Sequence, residues 1–402
     1  MRAAGIDTIV SRRPACAWPA LTAASLALLL GFAGLVVAAE GDQPAPPPPP
    51  QPPPKLKIYG DVRLRAESDW DSLQSDGTER ADRDRLRVRG RIGFNYAYDE
   101  HISFGARLRT GNPQDQQSPH QTLGDEFETK GVNFDRAFVQ GTWKSGWVWG
   151  GKNVFPFWTQ NELFWDEDVT PEGVAGGLVL KLGESAVRLK PAAAYFFMEN
   201  SGSNNTWSDK AYVTAAQLAL EAPLSKVDFS GAVGFYSFYD NPATTDIALA
   251  DMDYAIWVAG ARAVFKTAKP LGIGVDYMQN VENYASTVFN GDQDTGYVFQ
   301  VSLGQLKQRK DWLVAYYYAH IEKFAVVARL AQDDWLRWGS TTPPDTRSSN
   351  FEGHEFRIAY AFGPSWNVML RVYDVEGIEL ESPIATTLET GKRARLDFNI
   401  AF

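Results

Sequence analysis

Charged and apolar residues alternate along the segment 86–96, whose sequence is LRVRGRIGFNY. Successive side chains on a β-strand point to opposite faces, so Arg87, Arg89 and Arg91 share one face while apolar residues and glycine occupy the other. Segments with this two-residue period recur along the chain between turn-forming residues. They predict about sixteen strands, at 58–67, 86–97, 102–110, 133–143, 147–153, 174–182, 187–198, 211–222, 227–239, 254–265, 271–281, 295–303, 312–322, 355–362, 366–375 and 394–402.

The junctions between these strands alternate between short and long. Even-numbered junctions are short, at 98–101, 144–146, 183–185, 223–225, 266–270 and 363–365. Odd-numbered junctions are long, for example at 68–85, 111–132, 154–173, 323–354 and 376–393. Outer-membrane barrels sort their loops in this way. The pattern therefore predicts an all-β fold, a transmembrane antiparallel up-and-down β-barrel of about 16 strands with long extracellular loops and short periplasmic turns.

The composition agrees with that architecture. The chain has 34 Gly, 13 Trp, 16 Tyr and 23 Phe, and such a supply of rings is typical of barrels that place aromatic side chains at both membrane interfaces. After residue 39 the chain has no apolar run long enough for a membrane helix, and its mean hydropathy is -0.29. Strands that alternate lipid-facing and lumen-facing residues give such an average.

The first 55 residues predict export. Arg12 and Arg13 precede an apolar run that ends with small residues at 37–39, which is typical of a secretory signal peptide at 1–39. Cys16, the single cysteine, lies within it, so the mature chain would hold no disulfide. A proline-rich periplasmic linker is predicted at 40–55 and the barrel at 56–402, in the outer membrane of a Gram-negative bacterium.

The last predicted strand also favours this location. Its sequence, ARLDFNIAF, alternates apolar and polar residues and ends on the aromatic residue Phe402. An aromatic end on such a strand resembles the C-terminal assembly signal of bacterial outer-membrane proteins. That resemblance implies the outer-membrane assembly machinery as a partner.

Several segments resemble the putative-porin family of Gram-negative bacteria. They are IYGDVRLRAE at 58–67, ADRDRLRVRGRIGF at 81–94, RLRTGNP at 107–113 with QTLGDEF after it, FDRAFV at 134–139 and PFWTQNELFWDEDVTPEGVA at 156–175. The resemblance covers almost all of the mature chain and implies an outer-membrane pore without defining its substrate. The many arginines on the polar faces of the predicted strands also resemble, more weakly, the arginine-rich barrel wall of the alginate-export porins. A polyanionic saccharide export channel is therefore an alternative.

If the polar face of each strand points inward, many arginines line the lumen. This predicted pore-lining basic wall consists of Arg63, Arg65, Arg87, Arg89, Arg91, Arg107, Arg109, Arg136, Arg357, Arg371 and Arg395. Arginine stays charged at any working pH and binds carboxylates with two hydrogen bonds, so the wall predicts a preference for anions. The alternative is that lumen acids such as Asp61, Glu67, Asp135 and Asp397 neutralise the arginines, and that the wall is structural.

Two further groups of lumen residues are predicted. The junction 154–173 follows the fifth strand, where sixteen-stranded general porins fold a loop into the lumen. We predict that it narrows the pore and opposes the basic wall through Phe157, Trp158, Glu162, Trp165, Asp166, Glu167 and Asp168. Tyr316, Tyr318 and His320 share one face of a later strand, and we predict that they line the lumen and stack on a sugar or an aromatic solute.

These features predict a passive diffusion channel for small hydrophilic, preferentially anionic solutes. The main alternative is a surface adhesion or structural barrel with a plugged lumen. The sequence has no G-x-S-x-G, HExxH or cysteine cluster, so neither an enzyme, a metal site nor a cofactor is predicted. Expected partners are outer-membrane lipid, lipopolysaccharide and small solutes, not nucleic acid, and a homotrimer is compatible with this class.

Overall fold

The computed structural model of the chain describes residues 55–124, 126–198, 211–239, 253–284, 288–335 and 348–402. The predicted signal peptide, and all of the predicted linker except Lys55, lie outside the described residues. Among the described residues, no helix is long and apolar enough to cross a membrane.

Sixteen long strands account for most of the described chain. They are β1 (Leu56–Leu73), β2 (Arg83–Ala97), β3 (Ile102–Thr110), β4 (Val132–Trp143), β5 (Gly146–Lys152), β6 (Glu172–Leu178), β7 (Arg188–Phe197), β8 (Tyr212–Pro223), β9 (Val227–Tyr239), β10 (Tyr254–Phe265), β11 (Leu271–Asn280), β12 (Thr295–Gly304), β13 (Trp312–Ile321), β14 (Phe351–Gly363), β15 (Trp366–Glu376) and β16 (Thr390–Ala401). Three two-residue strands, Glu79–Arg80, Gln121–Thr122 and Leu180–Lys181, complete the set. Each predicted strand coincides with one of the long strands, and β1 is the most extended relative to its prediction.

The sheet is closed. Each long strand pairs antiparallel with the next one along the chain, and β16 pairs antiparallel with β1. The seam between these two strands runs from Asp61, opposite Ala401, to Leu73, opposite Thr390. The prediction of a 16-stranded antiparallel barrel is therefore confirmed.

The two faces of the barrel wall differ as the alternation predicts. On β1, Val62 and Leu64 are 43% and 50% exposed on the outer face, whereas Arg65 and Glu67 are 2% and 3% exposed on the inner face. An apolar outer face suits contact with lipid, and a polar inner face suits an aqueous lumen. The apolar residues of LRVRGRIGFNY thus point outward, and its arginines point inward.

The junction lengths confirm the predicted sorting of the loops. Short turns at 98–101, 144–145, 182–187, 224–226, 266–270, 305–311 and 364–365 define one end of the barrel, called here the short-turn end. Longer junctions at 74–82, 111–131, 153–171, 198–211, 240–253, 281–294, 322–350 and 377–389 define the long-loop end.

The interior has two unlike halves. From β14 through the seam to β4 the inner face is rich in arginine and carboxylates, whereas from β6 to β12 it presents buried apolar residues such as Phe196, Tyr236 and Ile256. Parts of three long junctions, 111–131, 153–171 and 322–350, are buried within the barrel. The apolar half gives these junctions a surface on which to pack, so their polar side chains face the charged half.

Candidate pore constriction

The predicted basic wall lies on the inner face of the seven consecutive strands that run from β14 across the seam to β4. Six pairs of arginines are direct cross-strand neighbours: Arg357 and Arg371, Arg371 and Arg395, Arg63 and Arg89, Arg65 and Arg87, Arg91 and Arg109, and Arg107 and Arg136. Like charges directly opposite each other destabilise a sheet. Such a band therefore requires counter-charges within the lumen.

Carboxylates on the same strands supply many of those counter-charges. Arg65 Nε lies 2.6 Å from Asp397 Oδ1, and Arg395 Nε lies 2.8 Å from Glu67 Oε2, so ion pairs cross the seam in both directions. Further pairs join Arg89 and Arg91 to Asp61, Arg107 to Asp135, and Arg357 to Glu355. Much of the wall is thus charge-balanced by its own strands.

Two wall arginines are held differently. Arg109 donates to main-chain oxygens, that of Gln116 at 2.8 Å and that of Asp168 at 3.1 Å, so it holds loop backbone and not an acid. The Nε of Arg136 is buried without a hydrogen-bond partner, and Arg136 forms no ion pair within the described residues. Arg109 and Arg136 are therefore the wall cations whose charge is compensated least directly.

The 154–173 loop crosses the interior of the barrel. Trp165 is only 4% exposed, and the ring of Phe157 contacts Tyr236 on β9 edge-on at 5.5 Å. The main-chain N–H of Trp158 donates to Gln217 Oε1 on β8 at 2.8 Å. The loop therefore leaves β5, packs on the apolar half of the interior and returns to β6.

Carboxylates near the end of this loop face the basic wall. Asp168 Oδ1 lies 2.7 Å from Arg91 Nη1, and Asp168 Oδ2 lies 3.7 Å from Arg89 Nη1. Glu167 Oε1 lies 3.8 Å from the same nitrogen of Arg89. Burial opposes ionisation of Glu167, but Arg91 and Arg89 outweigh it and lower the pKa of Glu167. Glu167 is therefore ionised at neutral pH.

Arginines compensate the charge of two other acids of the loop, Glu162 and Asp166, less well. Burial, reinforced by the charge of Glu167, raises the pKa of Glu162 to about 8. Burial, together with the charge of Glu162, also raises the pKa of Asp166 well above its usual range. Gln332 Nε2 donates to Glu162 Oε2 at 2.8 Å. At neutral pH these two acids therefore carry less than their formal charge.

A second junction, 322–350, also enters the barrel. Its length predicts a long external loop, but its described residues from Phe324 to Ala328 are at most 3% exposed. Asp334 Oδ2 lies 3.1 Å from Arg371 Nη1, and the same carboxylate pairs with Arg395. Burial disfavours the charge, but Arg395 and the neighbouring arginines hold the pKa of Asp334 well below its usual range. Asp334 thus fastens this junction to the basic wall.

The inward junctions contact one another. The main-chain N–H of Asp166 donates to Leu330 O at 2.7 Å, which joins the 154–173 loop directly to the second junction. Gln117 Nε2 donates to Ala328 O at 2.8 Å. His120 is buried beside the wall, where burial and the charge of Arg65 lower its pKa well below the usual range. His120 is therefore neutral at physiological pH, and the three junctions form one packed assembly inside the barrel.

Two cavities share the loop carboxylates as part of their lining. One has a volume of about 20 Å³, and its lining includes Arg63, His120 and Asp334. The other has a volume of about 270 Å³ and lies against Arg91, Arg107 and Arg136. Glu162, Asp166 and Glu167 line both cavities. A solute that moves along the barrel between these cavities would pass the three carboxylates.

The predicted lumen aromatics are placed differently from the expectation. Tyr316, Tyr318 and His320 lie on the same face of β13 as the outward-facing Val314, whereas Ala315, Tyr317 and Ala319 are buried inside. Their cross-strand neighbours on the outer face are Phe356, His354 and Glu352 of β14. The prediction that they line the lumen is wrong, because aromatic and polar side chains also occur on the outer face of a barrel near a membrane interface.

The structure adds lumen residues that the sequence pattern did not single out. On β13 the inward aromatic residue is Tyr317, and the Arg357 guanidinium lies 4.2 Å from the centre of its ring. Glu355 is fully buried beside Arg357, and Asp334 enters from the second junction. The alternation of β14 contains a signal for Glu355, because it shares a face with Arg357. The apolar run FAVVA at 324–328 is a signal that the second junction is buried.

Comparison with known proteins agrees with this geometry. Residues 71–269 match the putative porin family, which confirms the resemblance predicted from the sequence. Among proteins of curated function, none matches the chain in sequence.

Two solved structures share the fold. Pseudomonas putida OprB, in a high-pH structure, has a TM-score of 0.54 at 11% identity, with 86% of this chain and 94% of that chain covered. Salmonella typhi OmpF, in a complex with daunomycin, has a TM-score of 0.52 at 11% identity, with 86% and 97% covered. The family match and the shared fold together support an outer-membrane porin channel.

Proposed function

We propose that this chain, which resembles the putative porins and has a porin-type barrel, is a passive outer-membrane diffusion channel for small hydrophilic solutes with a modest preference for anions. The observation that carries this proposal is the arrangement inside the barrel. A band of arginines on seven adjacent strands faces a loop whose carboxylates point back at it. The constriction would thus carry an electric field across the path of the solute.

The preference for anions is modest because most wall arginines have acid partners. Arg65 and Arg107, for example, each pair with a buried carboxylate. The net attraction for anions then depends on the cations that lack such a partner among the described residues, chiefly Arg109 and Arg136. Rings of basic side chains favour anions in pores, and neutralising them weakens that effect. Glu167, the ionised carboxylate that lines both cavities, would repel a polyanion, which disfavours the saccharide-export alternative.

Reconstitution of the full chain in planar bilayers tests the proposal. We expect stepwise single-channel currents in symmetric KCl. In a liposome-swelling assay we expect small neutral sugars to enter the liposomes. In Arg109→Gln and Arg136→Gln variants we expect a weaker preference for chloride with little change in conductance. Arg262→Gln removes a lumen charge from the opposite wall and is the matched control. A chloride preference that is the same in all four proteins would contradict the role given to these two arginines.

A barrel with a plugged lumen is the second candidate, and one observation favours it. The three inward junctions pack against one another and against the basic wall, for example through Gln117 and Ala328 and through Asp334 and Arg371. A plugged barrel would give no single-channel current and no entry of sugar into the liposomes. The bilayer experiment therefore separates the two candidates.

A further inference from the structure

We propose that the larger cavity beside the 154–173 loop is a binding site for a small organic monocarboxylate that carries a ring, with Arg136 as the cation that recognises the carboxylate. The inference deepens the proposed function and rests on it, since it names the class of solute that the channel would select. The cavity has a volume of about 270 Å³. Its lining has a cationic, an aromatic and an acidic side, and each side restricts the chemistry of the ligand in one way.

A β-bulge places this cation. Between β3 and β4, Arg107 faces Arg136, but the next residue, Leu108, faces Phe134. Asp135 is therefore an extra residue in β4, and both it and Arg136 are directed inward. Bulges that re-aim side chains in this way are common at functional sites. The bulge gives β4 an acid and a base side by side on the lumen face.

Arg107 pairs with the acid of the bulge and not with its base. Arg107 Nε lies 3.0 Å from both carboxylate oxygens of Asp135, and the pair is buried. Thr170 Oγ1 also donates to Asp135 O at 2.7 Å, which fixes the bulge against the 154–173 loop. Arg136 consequently has a buried Nε with no partner among the described residues. An unsatisfied buried donor is costly, and a carboxylate would satisfy it through a charge-assisted, bidentate contact.

Aromatic rings form the second side. The rings of Phe155 and Trp165 stack at 4.2 Å with an interplanar angle of 10°, and Phe157 meets Phe155 edge-on at 5.1 Å. The indole N–H of Trp165 donates to Val169 O at 2.9 Å. The rings therefore contribute apolar surface, against which a planar or apolar ligand body can stack.

Acids on the third side limit the charge of the ligand. Glu162, Asp166 and Glu167 line the same cavity as the three arginines. Of these three acids Glu167 is the one ionised at neutral pH, so a second or third negative charge on the ligand would be repelled by the Glu167 carboxylate. The site consequently favours a single carboxylate over phosphate or a dicarboxylate.

Benzoate tests the proposal, with acetate as a probe that lacks the ring and benzyl alcohol as one that lacks the charge. Each is added to the full chain in a planar bilayer, and the decrease in chloride current is measured. We expect benzoate to block at lower concentration than either control probe. We expect Arg136→Gln to raise the half-blocking concentration about tenfold, as loss of one charge-assisted hydrogen bond predicts. Phe155→Ala should reduce the preference for benzoate over acetate.

Arg262→Gln is the matched control, because it removes one lumen charge on β10, outside the cavity. Equal effects of the Arg136 and Arg262 substitutions, or benzoate block no stronger than that of acetate or benzyl alcohol, would overturn the proposal while leaving the channel function intact. If the protein conducts no current, the proposed function fails instead. Calorimetric titration of the folded protein in detergent with benzoate then still decides whether the site exists, and an absence of binding there overturns it.

Discussion

Replacing Asp334 by asparagine should release the second inward junction from the basic wall. The carboxylate of Asp334 contacts Arg371 at 3.1 Å and Arg65 at 3.7 Å and also pairs with Arg395. Arg65 and Arg395 keep Asp397 and Glu67 as partners after the substitution. Arg371 keeps no other carboxylate within 4.0 Å among the described residues.

The expected magnitude follows from that difference. Removing one partner of a buried ion pair costs about 3–5 kcal/mol, because the remaining charge is left uncompensated. Here the loss falls chiefly on Arg371, so we expect about 3 kcal/mol, at the lower end of that range. Local opening of the junction should then become roughly 100-fold more populated. The Asp334 side chain is only 15% exposed, so screening by solvent reduces the value little.

Hydrogen exchange of the amides at 323–335 measures this opening. At pH 7 we expect exchange in Asp334→Asn to be roughly 100-fold faster than in the wild type. The pKa of Asp334 is lowered in the folded protein, so its contribution is complete above the ordinary carboxyl pKa of about 3.9 and is lost as pH falls through the folded value. The difference between the two proteins should therefore shrink in acid.

Asp71→Asn is the matched control. Asp71 pairs with Lys392 at 2.9 Å, but its side chain is 67% exposed, and exposed ion pairs contribute little to stability. Exchange at 323–335 should be unchanged in this variant. Equal exchange rates in Asp334→Asn and the wild type at pH 7 would refute the idea that Asp334 fastens the junction.

Three further predictions concern the 154–173 loop. Deletion of 158–168 should raise single-channel conductance, and unchanged conductance would show that the loop does not narrow the pore. Because the pKa of Glu162 is raised to about 8, its negative charge should appear above that pH and shift the reversal potential towards a preference for cations. The Glu162→Gln variant should lack this pH-dependent shift. A shift that persists in the variant would contradict its assignment to Glu162. Gly173, with φ +152°, has no room for a Cβ against Tyr195 O, so Gly173→Ala should destabilise the barrel by about 1–3 kcal/mol in urea unfolding. Wild-type stability in that variant would contradict the packing described at the start of β6.

The period-two alternation was sufficient to predict most of the barrel. It indicated the sixteen strands, and it set the register of LRVRGRIGFNY, because a slip of one residue would turn its arginines towards lipid. The position of the seam follows from closure, which pairs β1 with β16 and brings Arg65 next to Asp397. These features depend on local pattern and on topology, and both can be read from the sequence.

Features that depend on tertiary packing were not predictable in the same way. Tyr316, Tyr317 and Tyr318 are consecutive, so both faces of β13 are aromatic and the pattern does not say which face is inner. The bulge at Asp135 adds one residue to β4, but the alternation of polar and apolar residues along the strand does not reveal the insertion. The ion pairs of Asp334 join a loop to strands far away in sequence, and no local rule specifies such contacts.

The most direct test of an anion-preferring diffusion pore is the zero-current potential of the reconstituted full chain across a KCl gradient. We expect discrete channels whose potential has the sign of a chloride preference, reduced but not reversed by the acids that balance most of the arginine wall. An absence of channels would contradict the diffusion pore and favour the plugged barrel. A potential with the sign of a potassium preference would contradict the role given to the arginines.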